Sequence, residues 1–577
     1  MQPLVLFARM LDRRTAIIGG SVAAALAASS LAMARIIGAR ELSGDMTDEL
    51  ERAPAGAQVV VPAGTWGVSR NIAIRALVRF DGGVLQPGPG VAVSFENDVE
   101  AAPGAPIFDL EHVRWRRLDK QRSVRRSSFV WDTDSGIRLP GIAYATWFGA
   151  QPGSDEDSTL ALQAMLDSGA REAVLDGFFT HSANWVNDGQ TLRGLGPHGA
   201  GRLYGLKTRS EKRSFADVWQ NAAPLAPEED AFRGLSTRSG IGSATFADFE
   251  YDGSARDHFD HAEQYRSLNV DLEDSAPAGT GRRRSFQRNL LRQGGISIAS
   301  DTEDEPQAHR PPGQTTIERV YIHNVVRNCI VANRAPKVTI RDCRLADSDT
   351  DHLIYADRNP DLLVERTTFS GYARGGLVVI SCGTLRDCVV TDLRPNPIAG
   401  QDTQHIVNIR NDLPYPSTIA GLRISADLGT LSKGDGGTAL FMFAGRRNVR
   451  IEDLSVEHLG DDSASFAVFG ANSNASNIDV AGLQLTDMPP NATLWNTASR
   501  ISRLSMDDIH WGYRSSSDVE APYLFRFGQI ANATVSSLSV RGRRIGSLVS
   551  SDTPGRGVTF GTIDADRGVG RILGSDR

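Results

Sequence analysis

The C-terminal half of the chain carries a degenerate repeat of apolar positions. Aligning Ile317, Ile340, Val364, Leu385, Ile419, Ile451, Val480, Met506, Val535 and Phe560 gives spacings of 21 to 34 residues. Three positions after each anchor stands Val320, Cys343, Thr367, Cys388, Leu422, Leu454, Leu483, Ile509, Leu538 or Ile563, and only Thr367 breaks the pattern. Two further on come Ile322, Leu345, Phe369, Val390, Ile424, Val456, Leu485, Trp511, Val540 and Ala565. Residues at +3 and +5 share one face of a strand, whereas the anchor and +3 both face inward only if the two residues between them turn a corner. Those pairs, among them Glu318-Arg319, Arg341-Asp342, Glu452-Asp453 and Ser536-Ser537, are polar or small, as a tight corner needs. Stacked at about 4.8 Å per rung, such units build a rod of roughly 48 Å with a continuous apolar interior. The expected fold is therefore all-β, a parallel β-helix. Tandem helices would need 3.6-residue periodicity over longer runs, and segments such as VTIRDCRL are too short and too β-branched for it.

Ahead of the repeat, residues 147–169 read WFGAQPGSDEDSTLALQAMLDSG. Acidic residues 155–157, Ser158 as a cap, an apolar face of Leu162, Met165 and Leu166, and Gly169 as a stop predict a short helix. Such a helix would plug the open end of the rod. This stretch resembles the opening motif of the pectate-lyase-like right-handed β-helix superfamily, FGA-x-GDG-x-TDDT-x-A-x-Q-x-A, with PGSDED in place of the Gly-Asp-Gly segment. VVVPAGTWGV (59–68), FDGGVLQPGPGVAVSF (80–95) and PIFDL (106–110) resemble the β-rich leader of tailspike-like members. The resemblance implies a right-handed β-helix over roughly residues 55–570, a polysaccharide partner and, as in tailspikes, a homotrimer as one option. It names no reaction. The expected divisions are a leader domain over 35–145, the capping helix and first coils over 146–240, and the main β-helix over 241–577. Polar, unpatterned stretches at 268–293 and 300–315 read as insertions, either solvated loops or lips over a groove.

Residues 11–34 read LDRRTAIIGGSVAAALAASSLAMA, a paired arginine, an apolar run of small residues and Ala32-Met33-Ala34 as a cleavage site. This is expected to be an export signal, and the Arg13-Arg14 pair resembles a twin-arginine signal with Asp12 in place of Ser or Thr. The expected location is the periplasm or the exterior, with no membrane span left once the signal is removed. A net charge of −7 argues against a nucleic-acid backbone as partner. Basic charge comes from 57 arginines and only five lysines, and the guanidinium fork suits planar carboxylates. Cys329, Cys343, Cys382 and Cys388 read as small buried hydrophobes rather than as ligands or a disulfide framework.

Function should lie on an outward face, where a long groove suits an extended polymer. The strands that precede each corner motif include CIVANR (329–334), HLIYADR (352–358), GLVVIS (376–381), HIVNIR (405–410) and YLFRFG (523–528). Placing Ala332, Ala356, Ile380, Ile409 and Phe527 inward turns Asn333, Tyr355, Asp357, Ser381, Asn408, Arg410 and Arg526 outward. β-Elimination at a uronate needs a cation on the C5 carboxylate, a base for the C5 proton and an acid for the departing oxygen. Arg410, assisted by Asn408, suits the first role. Tyr355 or His352 could take the proton, the tyrosine aided by Arg358 and Arg410. Asn333, Asp357, His405, Asn408 and Arg526 are the expected sugar contacts. Asp347, Asp349 and Asp351 could hold a Ca²⁺ that bridges a uronate, or supply the two carboxylates of a glycosidase, or form a solvated turn. Gly460-Asp461-Asp462 is similar to the Asp-Asp of polygalacturonase-like hydrolases, without that family's companion motifs. His258 and His261, at i and i+3, are a weaker metal candidate. Taken together these features predict an exported lyase for an acidic polysaccharide. A glycoside hydrolase, a uronate C5-epimerase and a non-catalytic glycan-binding or assembly protein stay open.

Overall fold

A computed structural model describes residues 44–110, 115–117, 129–131, 136–196, 204–208, 233–237, 243–255, 293–299, 313–397, 402–411, 415–431, 438–445, 448–514, 520–550 and 557–572. The signal segment, His258, His261 and nearly all of the two expected insertions lie outside the described residues. Two compact units emerge, one from 44–110 with 131 and 136–142, the other from 115–117 and 129–130 with residue 143 onward.

In the first unit, Gln58–Val68 pairs in parallel with Leu77–Pro87, and Ala92–Phe95 pairs in parallel with both Ile72–Ile74 and Gly136–Arg138. Val59, Val61, Val78, Leu85, Val93 and Phe95 are buried, so alternate residues of each strand make its core.

The second unit is a right-handed parallel β-helix of three sheets, in which strands as far as Ser417–Ala420 join in parallel to the strand three places on, and in the last coils one long strand such as Val449–His458 runs through two of the sheets. The ten anchors fall in one unbroken register from Ile317 to Phe560. The +5 positions do the same from Ile322 to Ala565. Earlier coils continue the anchor column back through Phe246, Leu192 and Ala173, where long intervening segments hide the period in the sequence. We call the sheet holding the anchors A, the one holding the +5 positions B, and the third C.

The A–B corner explains why its residues are polar or small. Its second residue takes a left-handed conformation in coil after coil, with φ of 51° at Arg319, 54° at Asp342, 46° at Arg366, 53° at Asp387, 66° at Gly421, 51° at Asp453 and 67° at Gly482. That region excludes branched side chains and favours Gly, Asn and Asp. Two arginines stand there because each is held by carboxylates on a neighbouring rung: Arg319 bonds Asp248 at 2.6 and 2.9 Å, and Arg366 bonds Asp342 at 2.7 and 3.0 Å. Thr367, the polar exception in the +3 column, is buried and donates its hydroxyl to the Glu365 carbonyl at 3.1 Å.

The capping helix spans Thr159–Asp167 and buries Leu162, Met165 and Leu166. Its N-terminus departs from expectation. Ser158 makes no side-chain cap, and Asp157 Oδ1 instead accepts from Thr159 N at 2.9 Å. Gln163 docks the helix on the strand Ala183–Val186, accepting from Trp185 N at 2.9 Å and donating to Trp185 O at 3.2 Å. Ring contacts along Phe441, Phe469, Trp495 and Phe527, centroids 5.3–5.9 Å apart, line the interior of the C-terminal coils. The four cysteines are free and buried, and burial pushes the Cys343 thiol up to about 12. No helix among the described residues is long and apolar enough to cross a membrane.

Candidate active site

Sheet C places the expected groove residues in columns. Val331, Tyr355, Val379, Asn408 and Met442 form one, and Asn333 stands opposite Asp357 in the next, with Arg410 opposite Ala444. Ala332, Ala356, Ile380, Ile409 and Phe527 are buried beneath them. Tyr355 and Arg410 belong to coils two rungs apart, yet the Arg410 guanidinium lies 6.0 Å from the Tyr355 ring centroid. On the intervening strand, Gly375–Ile380, Val379 stands in the Tyr355 column, and the two glycines that open the strand lie at the His352 and His405 end of the cluster. A β-carbon added at Gly376 would come only within 3.6 Å of Asn408 and 3.8 Å of His405, so the floor there is low but not crowded.

His352 completes the cluster. Its ring is parallel to that of Tyr355, with centroids 5.7 Å apart. Nδ1 donates to the Gly376 carbonyl at 2.8 Å, and Nε2 is 3.0 Å from Asp351 Oδ1. Asp351 is itself held by Arg327 Nε at 2.9 Å. Burial pulls the His352 imidazole below the ordinary histidine value; Asp351 and the Gly376 carbonyl pull the other way, and Arg410 and Arg327 add to the depression. His405, opposite Gly376, is buried and bonds the Ala439 carbonyl through Nδ1 at 2.9 Å. Burial lowers its pKa too, opposed by backbone hydrogen bonds and reinforced by His352 and Arg410.

Most polar groups of this cluster are committed, and three are not. The Tyr355 hydroxyl and the Arg410 guanidinium have no hydrogen-bond or ion-pair partner among the described residues. The Oδ1 of Asn408, on a residue 7% exposed, is buried and unpartnered. A ring-face contact uses none of the guanidinium's N–H donors.

Other expected contacts fall differently. Asp357 accepts from Ser381 Oγ at 2.5 Å and pairs loosely with Arg358 Nε at 3.8 Å. Arg358 turns the following corner at φ 55°, so Arg410 rather than Arg358 is the cation on the Tyr355 ring. Asn333 sits one rung before Asp357. Arg526 shares the Tyr355 column but stands four rungs beyond Asn408, about 19 Å along the axis.

The three aspartates of 347–351 do not converge. Asp347 takes Arg394 at 2.9 and 3.0 Å, buried Asp349 accepts from the Tyr372 hydroxyl at 3.0 Å, and Asp351 serves His352 and Arg327. Among the described residues no group of three or more His, Cys, Asp or Glu is placed to hold a metal ion, so this run does not fit a calcium ligand set. Asp461 is spent on a local turn, accepting from Ser463 N at 2.9 Å and from its hydroxyl at 2.5 Å. Sequence reasoning missed Arg327 and the Gly375-Gly376 floor. The paired glycines opening a strand were the available signal.

No protein-family model matches the chain, and no curated protein does. Among solved structures it is similar to the mannuronan C-5 epimerase AlgE4 A-module of Azotobacter vinelandii, at 13% identity and TM-score 0.34 over 75% of this chain and 98% of that one. A GH87 α-1,3-glucanase catalytic unit from Streptomyces thermodiastaticus matches at 13% identity and TM-score 0.38, over 78% and 72%. Tailspike protein 2 of the Escherichia coli O157:H7 bacteriophage CAB120 matches at 11% and TM-score 0.28, over 77% and 43%. These likenesses are of fold alone.

Proposed function

We propose that this chain is an exported polysaccharide lyase that cleaves a uronate-containing polysaccharide by β-elimination on sheet C. The observation that carries the reading is the uncommitted guanidinium of Arg410 6.0 Å from the ring of Tyr355, whose hydroxyl is also uncommitted. A uronate carboxylate seated on Arg410 loses the charge that otherwise opposes removal of the C5 proton, and the same cation stabilises the enolate-like state that follows. The Asn408 amide adds a polar group in the Tyr355 column. Both nitrogens of His352 face acceptors, so the base is the Tyr355 oxygen, and His352 orients that ring. Acting as its phenolate, Tyr355 takes the C5 proton, and the C4–C5 double bond forms as the C4–O4 bond breaks. The phenol so formed gives its proton to the departing O4, which returns Tyr355 to the phenolate. Two carboxylates on this face, Asp351 and Asp357, already serve other groups, which favours this chemistry over a hydrolytic pair.

The test is turnover of a panel of acidic polysaccharides, read by the ultraviolet absorbance of the unsaturated uronate. A lyase gives that band. New reducing ends without it identify a hydrolase, C5 inversion without cleavage identifies an epimerase, and retention without turnover identifies a binder; each of these three overturns the reading.

A further inference from the structure

The chemistry of the sheet C cluster occurs a second time, on the outer face of sheet B. There Tyr321–His323 lies between Glu250–Asp252 and Arg344–Ala346, with Tyr321 opposite both Glu250 and Arg344. Ile322, between the two outward rings, is buried in the core. The rings of Tyr321 and His323 stack with centroids 4.4 Å apart at 21°, and the Arg344 guanidinium stands 4.8 Å from the Tyr321 centroid. His323 Nε2 is 2.9 Å from Glu250 Oε1. This repeats the tyrosine, histidine, carboxylate and arginine of Tyr355, His352, Asp351 and Arg410, with tighter ring contacts. One coil carries Arg344 and Tyr355 on its two sheets, and the acidic corner of residues 347–351 separates them.

The free groups decide what this second cluster takes. Arg344 is exposed, and it has no hydrogen-bond or ion-pair partner among the described residues. The Tyr321 hydroxyl is likewise unpartnered. A carboxylate on His323 Nε2 favours the proton there and leaves Nδ1 as the acceptor nitrogen. A cation with all its donors available, a phenol and an imidazole acceptor beside stacked rings match the carboxylate and hydroxyls of an acidic sugar. Burial and the nearby carboxylates Asp347 and Glu250 hold the Tyr321 hydroxyl above its ordinary pKa although Arg344 opposes them, which makes it a donor rather than a base.

We propose that Arg344, Tyr321 and His323 form a second, non-catalytic binding site for an acidic sugar, around one corner from the catalytic groove. The ligand class rests on the reading of the first site, since both would hold the same polymer.

The experiment is affinity electrophoresis of the full chain in gels containing polygalacturonate, alginate or hyaluronate. It compares wild type, Arg410→Ala, Arg344→Ala and the double variant, with circular dichroism as the check on folding. Arg410→Ala should stay retarded by whichever polymer retards the wild type, and adding Arg344→Ala should weaken retention by about tenfold, the scale of one charged hydrogen-bonding group. Tyr321→Phe, which keeps the ring stack, should weaken it by less. Retention equal in Arg410→Ala and in the double variant overturns the proposal, as does a wild type that none of the three polymers retards. Loss of retention on adding Arg344→Ala in a chain that yields no unsaturated product would reject the lyase reading and keep this site.

Discussion

The A–B corner and the sheet C face carry the same residue types to opposite ends. Along the corner the charges alternate rung by rung: Asp248, Arg319, Asp342, Arg366 and Asp387 in one column, Glu318, Arg341, Glu365 and Arg386 in the column beside it. Arg341 pairs with Glu318, and Glu365 with both Arg366 and Arg386. No arginine of this checkerboard is left over. On sheet C, Arg410 is left without a carboxylate among the described residues. Paired charge at a corner offsets left-handed backbone and holds rungs in register, whereas an unpaired cation in a groove is available to a ligand. The corner arginines are therefore structural, and arginine abundance by itself does not locate a site.

The sharpest way to break this contrast is to remove one arginine from each region. Arg410→Ala and Tyr355→Phe should each lower turnover at least about a hundredfold, the scale of a lost oxyanion or acid–base group, while leaving the unfolding midpoint unchanged. Near-wild-type activity in either variant would reject the site and leave the fold standing. Raising the floor with Gly376→Val should cut kcat/KM on the order of tenfold through substrate misplacement, with the coil intact because the first added carbon meets only ordinary contacts. A fall in stability instead would show that the low floor serves packing.

The corner should respond the other way. Glu365, whose side chain is 8% exposed, bonds Arg366 and Arg386. Glu365→Gln should cost about 2 kcal/mol in chemical denaturation with kcat unchanged. The Arg386 hydrogen bond holds the Glu365 carboxyl below its ordinary value, and the Arg366 hydrogen bond does the same for Asp342. Their contribution is complete above the unfolded carboxylate values near 4 and is lost as pH falls through the depressed folded values, so the variant should flatten acid denaturation in that window. The smallest effect concerns His352. Its lowered pKa keeps it neutral to below 6.5, so an acid limb of kcat/KM that reports its protonation should lie below that pH and vanish in His352→Gln. A limb that persists in the variant belongs to another group.

The repeat from Ile317 to Phe560 was legible because a β-helix writes its register into local spacing: an apolar anchor, a two-residue corner and two more inward positions return whenever the chain completes a coil. Facing was legible for the same reason, since strand alternation sends Tyr355, Asn408 and Arg410 outward once Ala356 and Ile409 are placed inside. The coils before Ile317 were not legible, because segments of tens of residues separate Leu192, Phe246 and Ile317 along the chain although they are rung neighbours.

The stacking of apolar positions, the identity of the corners and the set of side chains available on each face are all written in local spacing. Which of those side chains are spent on one another depends on how the coils stack in three dimensions. That Asp347, Asp349 and Asp351 part to three different partners follows from the positions of Arg394, Tyr372 and Arg327, each in another coil or corner. That Arg410 crosses a rung to the Tyr355 ring, 6.0 Å from its centroid, is a distance between coils that no spacing along the chain contains. Hydrogen bonds and ion pairs depend on distances between rungs, and chain spacing sets those distances only after the insertions have been looped out.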